Sequence, residues 1–222
     1  MKYWLSFICF TLFFVACQDE DTPMDTETNK YYADYLAIYL AYDSVGNEAT
    51  LRAIDGYLSD YPERHEAVLF KAYILAKMGN ASAANNFFTL AREMDGLAIE
   101  SYEYQTAFML MDTTQKEATK ALIKEGLAID DSSGVLLNNR AWLDILAQDL
   151  DDGFMNVTTG VNRSPETENL YRTGFIVANL LENDSAENFY ALKVQELEID
   201  NTDSLKILLN NSSAFEVLIS LY

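Results

Sequence analysis

Residues 65–96 read HEAVLFKAYILAKMGNASAANNFFTLAREMDG. Apolar side chains recur at helical spacing on both sides of Met78-Gly79-Asn80, which reads as two helices joined by a tight turn. Two antiparallel helices that cross closely need a small residue at the crossing, and Ala72 and Ala91 supply one on each helix. Outward from this stretch the same phase returns. Ala72, Ala107 and Ala141 are spaced by 35 and 34 residues, and Ala91, Gly126 and Gly160 keep the same two intervals. Pro62 and Pro165, each closing a helical run, lie 103 residues apart, three such periods. From Tyr31 onward the pattern is helical, without β-type alternation. A period near 34 is the signature of stacked helix pairs.

The segment His65 to Gly96 resembles a tetratricopeptide repeat: Ala72, Gly79, Ala84, Phe88 and Ala91 fall at or near that family's characteristic offsets. Four further copies follow the same frame. Residues 100–131 keep Ala107 and Gly126 but carry Asp112-Thr113-Thr114 where a turn glycine is common, and residues 134–165 keep Ala141, Gly153 and Gly160. Residues 167–200 keep Gly174, Ala186 and Tyr190 but place Lys193 at a small-residue position; residues 31–62 place Tyr57 there. First-helix positions that are large and apolar in the family are polar here at Asp34, Lys71, Glu103 and Arg140. The resemblance implies an all-α fold, a right-handed superhelix of antiparallel helix pairs (a TPR-like α-solenoid). It would have about five repeats over 31–200, and residues 201–222 would form C-terminal capping helices. Asp203 or Ser204 could cap the first of these, and Ser212 or Ser213 the second.

The N-terminus carries a different signal. Met1-Lys2 is a short positive end, and Tyr3 to Ala16 is a mostly apolar run too short to span a bilayer, as in an export signal. Phe14-Val15-Ala16-Cys17 followed by Gln18-Asp19-Glu20-Asp21 resembles the lipobox of bacterial lipoproteins, with Phe14 in place of the usual leucine. The resemblance implies a signal peptide over 1–16 and lipidation of Cys17, a palmitate-type acylated N-terminus serving as membrane anchor. Cys9 would leave with the leader, so the mature chain would hold one cysteine and no internal disulfide. Buried acyl chains, at about 0.8 kcal/mol per CH₂, can hold a domain on a bilayer without a spanning helix. Residues 17–30, rich in acids and poor in large aliphatic groups, read as a flexible acidic tether. Acids placed directly after the cysteine also resemble the export signal of surface-exposed lipoproteins. The implied location is the outer membrane of a Gram-negative bacterium, on its periplasmic or its surface face.

Composition narrows the function. Of 222 residues, 35 are acidic and 15 basic, a net charge of -20; loss of Lys2 with the leader leaves 14 basic residues and a net charge of -21. Such a surface repels nucleic acid and anionic lipid. The single histidine, His65, falls at a helix start where a solvated residue is expected, and it removes most metal and nucleophile–base sites. Carboxylate pairs such as Asp151-Asp152 read as a solvated face. No catalytic residue, metal ligand or cofactor is assigned, and the chain is expected not to be an enzyme. Asp43-Ser44-Val45, Asp112-Thr113-Thr114, Asp184-Ser185-Ala186 and Asp203-Ser204-Leu205 resemble a bacterial O-glycosylation triplet, and turn or capping chemistry explains them equally well.

What remains is aromatic. In register, the five copies place Tyr39, Tyr73, Phe108, Trp142 and Phe175 at one first-helix position. Tyr35, Leu69, Tyr104, Asn138 and Tyr171 stand one turn earlier, and Tyr31, Tyr32 and Tyr42 extend the cluster at its N-terminal end. In the tetratricopeptide family such positions can face a concave groove that takes peptides or partner helices. The candidate groove residues are Tyr35, Tyr39, Tyr73, Tyr104, Phe108, Trp142, Tyr171 and Phe175. An aromatic stripe at helical spacing is more often core than ligand site, and residues 201–222 could fold into the groove. Two functions fit: a scaffold or adaptor for a protein or peptide of the cell envelope, or capture of a glycan or small ligand on the aromatic row.

Overall fold

A computed structural model describes residues 26–199 and 202–221. The leader, Cys17 and most of the tether lie outside the described residues. Twelve α-helices and one 3₁₀ turn are present among them, with no strand. They run as five antiparallel pairs: α1 (Thr26–Val45) with α2 (Asn47–Asp60), α3 (His65–Lys77) with α4 (Ala81–Met94), α5 (Ile99–Met109) with α6 (Lys116–Ile129), α7 (Gly134–Leu146) with α8 (Leu150–Arg163), and α9 (Glu168–Leu180) with α10 (Asp184–Glu196). Two short helices follow, α11 (Thr202–Asn211) and α12 (Ala214–Leu221). Helix α1 begins five residues ahead of the expected repeat boundary at Tyr31. No helix among the described residues is long and apolar enough to cross a membrane.

Local chemistry sets the helix ends. Asn80, Ser133 and Asn183 accept from the backbone N–H three residues on, each capping one helix of a pair. Ser213 and Glu216 form a reciprocal capping box: the Ser213 N–H donates to the Glu216 carboxylate at 2.7 Å, and the Glu216 N–H donates to Ser213 Oγ at 3.3 Å. At the other tail helix the expected caps are displaced, because α11 starts at Thr202 and both Asp203 and Ser204 sit inside its first turn.

The turns of the second, fourth and fifth pairs repeat one geometry, and the first pair turns instead at Gly46 (φ 77°, ψ 171°). The chain turns through a left-handed residue at Gly79 (φ 75°), Gln148 (φ 66°) and Glu182 (φ 54°), and again after α10 at Glu198 (φ 51°). At each, the next N–H reaches back five residues, as Asn80 does to the Leu75 carbonyl at 2.9 Å. The third pair departs from this pattern. Asp112 accepts from the Thr114 N–H at 3.0 Å and the Thr114 hydroxyl at 2.7 Å, which holds the 3₁₀ turn Thr113–Gln115 in place of a glycine turn.

The small-residue series lies at junctions between pairs as well as within them. A Cβ on Gly160 of α8 would stand 2.6 Å from Leu170 of α9, the first helix of the next pair. One on Gly126 of α6 would meet Leu136 of α7 at 2.5 Å and Tyr102 of α5 at 3.0 Å. Ala72, Ala84, Ala91 and Ala141 are fully buried. The unexpectedly polar first-helix positions are paired: Lys71 reaches Asp55 of α2 at 2.6 Å, Glu103 accepts from the Ser133 hydroxyl at 2.7 Å, and Arg140 pairs with Asp144 one turn along α7 at 3.3 Å. The fourth, Asp34, meets the Tyr61 hydroxyl at 3.4 Å.

Candidate functional site

The aromatic row is built by the first helices α1, α3, α5, α7 and α9, and it divides in the middle. In the N-terminal half the rings form a continuous chain. Tyr35 lies 6.4 Å from Tyr39, Tyr39 lies 5.2 Å from Phe70, and Tyr42 sits edge-on to Tyr73 at 6.2 Å. Tyr73 then meets Tyr104 of α5 edge-on at 6.1 Å, an arrangement suited to the ring quadrupoles. Tyr35, Tyr39, Tyr42 and Tyr73 are half-buried, and Tyr104 is 40% exposed. Phe108, also half-buried, turns toward Phe88 of α4 at 6.0 Å and anchors the row to the second-helix layer. The Tyr31 ring, stacked under the Arg64 guanidinium at 3.5 Å, closes the N-terminal end.

In the C-terminal half the equivalent residues are core. Trp142 is 1% exposed, Phe175 0% and Tyr171 7%, and the Tyr171 hydroxyl donates to the Pro165 carbonyl at 2.9 Å. The tail covers them: α12 packs on α7, and Leu205, Val217 and Leu218 complete the same cluster as Trp142 and Phe175. Lys206 of α11 sets its ammonium 5.9 Å from the Phe175 ring centroid and pairs with Glu187 at 2.6 Å. That pairing holds Glu187 below the ordinary carboxylate range. The candidate groove therefore reduces to Tyr35, Tyr39, Tyr73, Tyr104 and Phe108, and Trp142, Tyr171 and Phe175 are packing residues.

The four tyrosines among these rings are neutral hydrogen-bonding phenols. Burial pushes the Tyr73 hydroxyl up to about 12, with the neighbouring Tyr42 adding to the shift. Tyr35 is raised by burial and by Glu66, and its hydroxyl donates to the Glu66 carbonyl at 3.3 Å. Burial likewise raises Tyr39 with help from Asp43, and Tyr104 with help from Tyr39, Glu103 and Glu100. Carboxylates of three helices thus stand near these rings. Glu103 is itself held above the ordinary range by burial, against the pull of the Ser133 hydroxyl.

Phe70, which lies between four tyrosines, was not marked by the row. Its equivalents in the later copies are Gln105, Asn139 and Arg172, so no apolar periodicity points to it. His65 differs from the solvated residue expected at that position. It is half-buried, and its Nε2 shares a 3.1 Å hydrogen bond with Ser101 Oγ across α3 and α5. Asp151 and Asp152 occupy the exposed first turn of α8, where the helix N-terminus favours negative charge. Of the Asp-Ser/Thr triplets, Asp43-Ser44-Val45 ends α1 with an exposed serine and Asp184-Ser185-Ala186 opens α10.

No family model matches the sequence, and no curated protein matches it closely. Solved structures do. A tetratricopeptide-repeat protein of Thermus thermophilus, TTC0263, superposes with a TM-score of 0.66 at 13% identity, over 85% of this chain and 99% of the other. MamA from Desulfovibrio magneticus RS-1, residues 41 to the end, superposes with a TM-score of 0.59 at 14% identity, over 76% and 95%. At such identity the likeness is one of fold, and the fold is a tetratricopeptide-type solenoid.

Proposed function

We propose that this chain is a non-enzymatic, lipid-anchored scaffold or adaptor that holds a protein or peptide partner at the bacterial cell envelope through the open half of its aromatic row. One observation carries the reading. The first-helix rings Tyr35, Tyr39, Tyr73 and Tyr104 keep part of their surface exposed along α1, α3 and α5, whereas Trp142, Tyr171 and Phe175 of the C-terminal half are buried. Tyrosines so placed give large contact area at low entropic cost, with hydroxyls for directional bonds. The resemblance of residues 1–21 to a lipoprotein leader supports the anchor at Cys17 and the outer-membrane location.

Two measurements test the reading. A photo-crosslinking residue at Tyr104, in the lipidated protein within its own membrane, should capture a discrete protein; a clean lane under irradiation would refute the adaptor. Cys17→Ser should move the protein to the soluble fraction, and unchanged membrane retention would refute lipidation. A glycan array reports on the other use of the same rings, sugar stacking, which predicts hits that Tyr104→Ala abolishes.

A further inference from the structure

The molecule already contains an occupant of this kind of surface. In the closed half of the row, α11 brings Leu205 into the core and lays Lys206 over Phe175, with Glu187 beside the ammonium. At the equivalent position in the open half, Tyr73 already holds a cation on its face: Lys77 Nζ stands 5.6 Å from its ring centroid. Near the open rings stand the carboxylates Asp43, Glu66 and Glu100, on a chain whose net charge is -20. The phenols stay protonated, so their faces offer π density without adding a competing anion that would bind the cation elsewhere.

We infer that the open half binds a basic amphipathic segment of its protein partner, seating a lysine or arginine on the tyrosine faces and aliphatic side chains between them. The inference rests on the scaffold reading and names the chemistry of the partner. The charge complementarity is local at the ring faces and global across the acidic surface, so it acts on both affinity and encounter rate. An acidic segment meets repulsion from Asp43, Glu66 and Glu100. A neutral saccharide could stack on the rings but would make no use of the charge.

The test uses the full chain in zwitterionic phosphatidylcholine nanodiscs, with empty discs as reference. The probes are a labelled peptide Leu-Lys-Ile-Leu-Leu-Lys, its counterpart with glutamate for lysine, and a maltooligosaccharide. The lysine peptide should bind, the glutamate peptide should not, and binding should weaken as salt rises. Tyr39→Ala and the more exposed Tyr104→Ala should each weaken binding about fivefold, with helicity checked by circular dichroism. Lys77→Glu, which removes the resident cation, should tighten it about threefold. Binding unchanged in both tyrosine variants would mean adsorption to the acidic surface at large and would overturn the inference. Preference for the glutamate peptide, or weaker binding in Lys77→Glu, would do so in favour of an anionic partner. Binding of the saccharide alone would overturn this inference and the scaffold reading together. Silence from all three probes overturns the basic segment only, because crosslinked capture at Tyr104 decides the scaffold separately.

Discussion

Tyr73 and Phe175 occupy the same register position in two helix pairs, yet one keeps part of its surface exposed and the other is fully buried. The helices that carry them are built alike. What differs is the covering: α11 and α12 return over α7 and α9, and no described helix returns over α1, α3 and α5. The seams beneath also differ. Between the N-terminal first helices the contact is aromatic, centred on Phe70. Further along, the equivalent positions are buried amides and a guanidinium, with Asn139 donating to Thr106 Oγ1 at 2.9 Å and Gln105 accepting from Arg92 at 2.9 Å. In a repeat protein, register position fixes direction, and non-repeating segments decide burial.

The contrast can be broken from its buried side first. Phe175→Ala or Trp142→Ala should lower unfolding free energy by about 3–5 kcal/mol, read from denaturant melts, whereas Tyr104→Ala should shift it by no more than about 0.5 kcal/mol. Equal losses at Trp142 and Tyr104 would erase the distinction between the halves. Next in size, Gly160→Ala should cost about 1–3 kcal/mol, since Leu170 must give way to the added carbon. A neutral result would show that the junction between α8 and α9 has slack.

Alkaline pH probes the tyrosine side. The folded-state pKa of Tyr73 is raised, so the fold binds that proton more tightly than the unfolded chain does. Its contribution is complete below about pH 10 and is lost as pH rises through about 12. Melting temperature should fall across that window, and Tyr73→Phe should flatten the fall. An unaltered slope in the variant would assign the alkaline loss to other groups. The smallest change should come at a turn. Glu182→Gly relieves a left-handed non-glycine residue and should stabilise by about 0.5–1 kcal/mol, while the same change at Glu166, outside such a turn, should not.

The sequence carried the repeat because small residues at crossings leave a periodic trace: Ala72, Ala91, Gly126 and Gly160 mark helix junctions directly. It carried the row of rings for the same reason. It could not assign burial along that row, because Trp142 is covered by residues some 75 positions later, and that covering has no period to read. Two turns were also hidden. Gln148 and Glu182 adopt the left-handed conformation that Gly79 advertises, but neither side chain signals it. Polar residues at packing positions, such as Lys71 and Glu103, looked like departures from the repeat and proved to be hydrogen-bonded or ion-paired links between helices.

The return of α12 onto α7 has a consequence in time. Pairs α1–α2 and α3–α4 bury their apolar faces against near neighbours in the chain, so they can fold as they leave the ribosome. The cluster holding Trp142 and Phe175 cannot close until Val217 and Leu218 have emerged. Throughout synthesis, then, the C-terminal half stays open-sided while the N-terminal half can already be compact. A chain stopped short of those residues would display a large aromatic surface, the kind that chaperones and proteases recognise.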